Sequence, residues 1–124
     1  MSEQAPAVVG IAALAIDCAD PPGLARWWSR LLGGEVEVDA DGDGDGDATL
    51  HTPGGLNIDF LRVPEAKTVK NRLHLDLRST DLDEATRQAE ALGATRADDI
   101  YDGGRWQVMR DPEGNEFCLL RPRS

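Results

Sequence analysis

The side chains in this sequence best suited to chemistry are few and widely spaced: Asp59, His74, Asp76 and Cys118. A carboxylate pair such as Asp59 and Asp76 does acid–base work once burial desolvates it. A cysteine near a histidine becomes a nucleophile when its thiol is activated, but nothing in the sequence marks Cys118 as such. No Ser/His/Asp set, phosphate-cradling glycine motif or basic patch accompanies them. The run Asp39–Asp47 invites a calcium reading, because Asp39, Asp41, Asp43 and Gly44 match the opening of an EF-hand loop. The bidentate glutamate expected at the twelfth position is Leu50, and no helices flank the run, so an exposed acidic hairpin loop is expected instead. Trp106 reads either as core or as an aromatic pocket wall for a flat organic ligand, with Tyr101 and Arg105 near its rim.

The elements that must position these residues come from a repeat. Leu14-Ala15-Ile16-Asp17-Cys18-Ala19-Asp20 leads through two prolines to Gly33-Gly34, and His74-Leu75-Asp76-Leu77-Arg78-Ser79-Thr80-Asp81 leads to Gly93. Each copy is a strand, a capping aspartate, an amphipathic helix and a glycine stop. In the first helix Leu24, Trp27, Trp28, Leu31 and Leu32 share one face, with Asp20 as cap and Pro21-Pro22 in the donor-free first turn. In the second, Leu82, Ala85, Ala89 and Leu92 form the stripe, and Asp81 with Glu84 has capping-box spacing. Residues 53–61 then match residues 112–120 without a gap, each a glycine turn entering an alternating strand. Two further strands fit in each half, near 35–39 and 47–52 and near 95–101 and 104–110. Each half therefore reads β-α-β-β-β, over about 8–63 and 71–122, joined by the polar segment Val63–Lys70.

Alternation assigns the faces. Ala12, Leu14 and Ile16 in a strand at 11–17, Leu56, Ile58 and Phe60 at 56–61, Leu73, Leu75 and Leu77 at 72–78, and Phe117 and Leu119 at 116–120 should pack on the helices. Ala13, Asp59, His74, Asp76, Glu116, Cys118 and Leu120 then face the other way. A curled sheet with helices outside turns that second face into a cup, where binding or chemistry belongs.

Hydrophobic residues make up 40% and charged residues 29% of 124 residues, a globular profile for one domain with enough core to fold. The formal net charge of −10 repels phosphates and anionic lipids, so neither nucleic acid nor a membrane surface is an expected partner. The N-terminal stretch is polar without a basic start, no apolar run spans a bilayer, and two cysteines make no disulfide framework. A reduced, cytoplasmic protein is the expectation.

Two β-α-β-β-β halves with Arg110-Asp111-Pro112-Glu113-Gly114-Asn115-Glu116-Phe117 before the last strand resemble the vicinal-oxygen-chelate superfamily, which groups glyoxalases, bleomycin-resistance proteins and dioxygenases. The likeness runs from about Val8 to Arg121. Trp27-Trp28, Leu31-Leu32-Gly33 and the His74-Leu75-Asp76 strand start look most like its bacterial glyoxalase-like branch. The resemblance implies an α+β fold over residues 1–124, two modules curled around a cleft, and a homodimer. It also implies divalent-metal ligands at positions 13, 59, 74 and 118, which here are Ala13, Asp59, His74 and Cys118. Alanine ligates nothing. Asp59, His74 and Cys118 would leave an oxygen, a nitrogen and a sulfur donor, a set for zinc with an open position rather than for magnesium, manganese or iron. Alternatively Cys118 is a small buried apolar residue and His74 and Asp76 form a polar pair on the pocket wall. The expected function is capture of a small organic molecule in a cup lined by Ala13, Asp59, His74, Asp76, Trp106 and Cys118, with a degenerate metal site and no metal favoured. The alternative is a metal-dependent lyase, isomerase or ring-cleaving dioxygenase, lactoylglutathione lyase activity not being expected.

Overall fold

A computed structural model describes residues 6–8, 10–39 and 46–123. The first module comprises β1 (Leu14–Cys18), α1 (Pro21–Leu32), β2 (Glu35–Val38), β3 (Ala48–His51) and β4 (Asn57–Arg62). The second comprises β5 (Leu75–Arg78), α2 (Leu82–Ala91), β6 (Thr95–Arg96), β7 (Trp106–Arg110) and β8 (Glu116–Leu120). The α+β class and the repeated β-α-β-β-β order both hold. The two four-stranded sheets run β1-β4-β3-β2 and β5-β8-β7-β6, so the first strand of each module lies parallel to the last and the other pairings are antiparallel. The register repeats as well. Leu14 stands opposite Ile58 and Leu75 opposite Phe117; one step on, Ala15 faces Asp59 and Asp76 faces Cys118.

Both helices start where their aspartates direct. The Asp20 carboxylate accepts from Gly23 N at 3.2 Å, and Asp81 accepts from Glu84 N at 3.0 Å. The reciprocal half of the capping box is replaced on the helix surface, where Glu84 turns to Arg87 at 2.7 Å. Helix α1 buries Leu24, Ala25, Trp27 and Trp28, and the two indoles meet Phe117 of the other module at ring separations of 5.9 and 4.8 Å. Trp27 Nε1 donates to Leu92 O at 2.8 Å and Trp28 Nε1 to Asp111 Oδ2 at 3.0 Å. One core therefore joins both modules through a single helix.

The Asp-Pro-Glu-Gly-Asn turn is the second joint. Asp111 Oδ1 accepts from Glu113 N and Asn115 N, both at 2.9 Å, and Gly114 takes φ +87°, a left-handed conformation that favours glycine. Burial pushes the Asp111 carboxyl up, and these bonds with that from Trp28 work against the shift. Folded this way, the turn aims Glu113 at the start of α1, where its carboxylate accepts from Ala19 N at 2.6 Å and Asp20 N at 2.9 Å.

Several strand boundaries differ from the alternation. β1 starts at Leu14 rather than 11, and β5 at Leu75 rather than 72. Ala12 and Leu73, expected to pack, are exposed, Leu73 to 89%. The cause is ladder length: the first paired residues are Leu14 with Ile58 and Leu75 with Phe117, and alternation has meaning only where a ladder holds the chain extended. Leu56, one residue before β4, is likewise exposed. The strand expected at 95–101 ends at Arg96, because Ala97 O accepts from Ile100 N at 2.9 Å and bends the chain into a turn. Asp39 N donates to Asp47 O at 2.9 Å at the base of the β2–β3 hairpin, and positions 40–45 of the acidic run lie outside the described residues. No helix among the described residues is long and apolar enough to cross a membrane.

Candidate functional site

One face of the second sheet borders a cavity of about 440 Å³. Its apolar wall is Ile100, Tyr101, Trp106, Val108 and Leu120, and its polar side is Lys70, His74, Asp76, Glu116 and Cys118. β7 sends Trp106 and Val108 to this face, two residues apart, and β8 sends Glu116, Cys118 and Leu120, as a strand of period two must. The turn at 97–100 brings Tyr101 back onto Trp106, and the rings stack at 3.9 Å with 7° between their planes. The aromatic wall is thus a prestacked pair with Trp106 37% exposed at its edge.

His74, Asp76 and Cys118 meet at the polar side. Asp76 and Cys118 are direct partners in the β5–β8 ladder, and His74 stands two residues before Asp76. His74 Nε2 lies 3.2 Å from Asp76 Oδ1, and one donor atom from each of the three falls within 4.8 Å of the others. Burial, then the charge of Asp76, pushes the Cys118 thiol up to about 11, so it is neutral across the physiological range. Such a thiol is no nucleophile. Glu116, although it lines the cavity, is spoken for: it takes Asn71 N at 2.8 Å, Lys67 Nζ at 3.0 Å and Arg110 Nε at 3.3 Å. Burial opposes its charge, but these donors prevail and hold the carboxyl below its ordinary range.

Of the six pocket residues expected from the sequence, His74, Asp76, Trp106 and Cys118 line this cavity, whereas Ala13 and Asp59 do not. Asp59 lies on β4 of the other sheet, where Thr49 Oγ1 donates to it at 2.9 Å, and Ala13 just precedes β1. A larger open hollow of about 690 Å³ runs between β1 and β5, with Ala15 and Asp17 on one side and His74 and Leu75 on the other. Val108 and Leu120 carried a signal, namely the alternation that also marks Trp106 and Cys118. Lys70 and Ile100 carried none, since both sit in irregular chain.

A pair of β-α-β-β-β modules in two four-stranded mixed sheets is the glyoxalase/bleomycin-resistance/dioxygenase fold. The family model for the glyoxalase-like domain matches residues 13–120, and the chain belongs to that family. Among solved structures, the fosfomycin resistance protein FosX from Listeria monocytogenes is 16% identical with a TM-score of 0.71, covering 94% of this chain and 93% of its own. A glyoxalase/bleomycin resistance protein/dioxygenase superfamily member from Sphaerobacter thermophilus is 20% identical with a TM-score of 0.65, covering 92% and 98%. FosX from Mesorhizobium loti is 13% identical at 0.68, covering 91% of each chain. At these identities the likeness is one of fold. No curated protein matches the chain by sequence.

The four ligand positions that the resemblance implies are not met here as a set. Ala13 offers no donor atom, Asp59 stands with Thr49 on the first sheet, and only His74 and Cys118 come together. A sulfur donor is also a poor partner for a hard oxygen-seeking ion. The residues do not fit a four-ligand centre of the manganese type.

Proposed function

We propose that the chain binds a small organic molecule in the cup of its second module, with the family's metal centre degenerate. The carrying observation is the cavity of about 440 Å³ with a stacked Tyr101–Trp106 wall opposite a compact polar group, the composition typical of small-ligand sites. An apolar ring face gains from burial against the indole, and Lys70, His74 and Asp76 orient a polar substituent. A mutant of FosX from L. monocytogenes has been crystallised with Mn(II) and 1S,2S-dihydroxypropylphosphonic acid, so this fold holds a small organic ligand elsewhere. The test is a panel of flat aromatics, quinoline and 2-naphthol among them, read by melting temperature and tryptophan fluorescence. At least one member is expected to raise the melting temperature of the native chain and to lose its effect in Trp106→Ala and in the cup-filling Val108→Trp. Equal binding by Val108→Trp would remove the proposal.

A metal-dependent lyase, isomerase or dioxygenase is the second reading, favoured by the gathering of His74, Asp76 and Cys118. It requires that His74→Ala abolish turnover together with metal retention. We further propose that two copies pair, from the exposure of Ile11 (80%) and Leu73 (89%) beside the strands β1 and β5, each of which ends its sheet.

A further inference from the structure

We infer that the cup takes an aromatic carboxylate and that Arg78 is the residue that selects its charge. The inference rests on the cup proposed above and names the class of molecule it holds.

Ladder register sets the sheet face out in rows. Asp76, Cys118 and Val108 stand side by side across β5, β8 and β7, and one row further on Arg78, Leu120 and Trp106 do the same. Leu120 and Trp106 border the cavity, so the exposed Arg78 ends the row that the indole begins. With strands about 4.8 Å apart, Trp106 and Arg78 are separated by about 10 Å, and Leu120 lies between them. A fused bicyclic ring laid from the indole edge over Leu120 follows that row and carries a substituent at its far end to Arg78.

The guanidinium is prepared for a carboxylate. Arg78 Nη1 donates to Arg121 O at 2.7 Å, which fixes the group against the chain leaving β8. Nε and Nη2, the edge that grips a carboxylate with two parallel bonds, have no partner among the described residues. Asp76, two residues earlier on the same face, is turned to His74 at 3.2 Å. Its negative charge makes the middle of the cup a poor seat for an anion and directs one to the Arg78 end. Arg121 Nη2 donates to Gly104 O at 2.8 Å, which holds a second guanidinium between the chain after β8 and the loop before Trp106. In a chain of net charge −10, such a local pair of arginines is what lets an organic anion approach. Lys70, the cavity's other permanent cation, lies at the Asn71 end, where Glu116 already supplies a carboxylate.

The experiment titrates the full chain by calorimetry at pH 7 with two probes of one shape, anionic 2-naphthoate and neutral 2-naphthol. The native chain is expected to bind 2-naphthoate about tenfold or more tighter, with a preference that shrinks as salt is added. Arg78→Gln should bring 2-naphthoate level with 2-naphthol, and Arg78→Glu should turn the preference to the cation 2-naphthylmethylamine. Arg26→Gln, which removes the same charge from the exposed face of α1, should keep the native preference. Equal affinity for the two probes in the native chain, a carboxylate preference that survives Arg78→Gln, or one lost in Lys70→Gln or Arg26→Gln to the same degree would each overturn the inference. Binding of 2-naphthol without a carboxylate preference removes this inference alone, whereas failure of both probes removes the cup and the inference together.

Discussion

Glu116 illustrates how a carboxylate lines a cavity without being its chemistry. Lys67, Asn71 and Arg110 hold it ionised against the cost of burial, so its contribution to stability is present above the ordinary glutamate pKa and is lost as pH falls through the lowered value. Native protein should lose stability as pH drops below about 4.5, and Glu116→Gln should flatten that part of the urea-midpoint profile while costing about 1–3 kcal/mol at pH 7. An acid limb of unchanged slope in Glu116→Gln would assign the effect to other groups. Asp59 and Asp76 show what the sequence reveals at this scale. Alternation correctly sends each to the face opposite the helices, but it does not say which sheet's hollow that face borders. Asp59 and Cys118 are equivalent through the repeat, and for that very reason they stand on different modules. Asp76 and Cys118 are joined by ladder register, which no periodicity discloses.

At the scale of elements, the helices were the most legible part because their stripes, caps and stops all agree. Strand starts were less so, as Ala12 and Leu73 make plain: an apolar residue two places before a ladder looks identical in sequence to one within it. The joint between modules was invisible, since it depends on a turn from one half meeting a helix start from the other. Two predictions belong here. Trp28→Ala removes an indole 1% exposed and leaves Asp111 short of a donor, so a loss of about 3–5 kcal/mol is expected by chemical denaturation. Glu113→Ala strips the acceptor from Ala19 N and Asp20 N and should cost about 1–2 kcal/mol. Its distinguishing sign is that native-state hydrogen exchange rises at the first turn of α1, although the substitution lies 93 residues away from Asp20 in sequence.

For the whole molecule, the four sheet edges are unequal. β2 carries Glu35 and Glu37 and β6 is two residues long, both devices that discourage another strand from adding. β1 and β5 end their sheets without such protection and flank the hollow of about 690 Å³ between them. The chain entering each edge displays a large apolar side chain to solvent: Val8 and Ile11 before β1, Val69 and Leu73 before β5. Because β1 and β5 are repeat equivalents, a twofold axis can bring each edge of one copy against the other edge of its partner, closing both contacts at once. The native chain is therefore expected to sediment as a dimer at micromolar concentration. The double variant Ile11→Asp, Leu73→Asp should sediment as a monomer with an unchanged far-ultraviolet circular dichroism spectrum, since neither side chain contributes to the core. A native monomer, or a dimer indifferent to both charges, would mean that these edges meet no second copy.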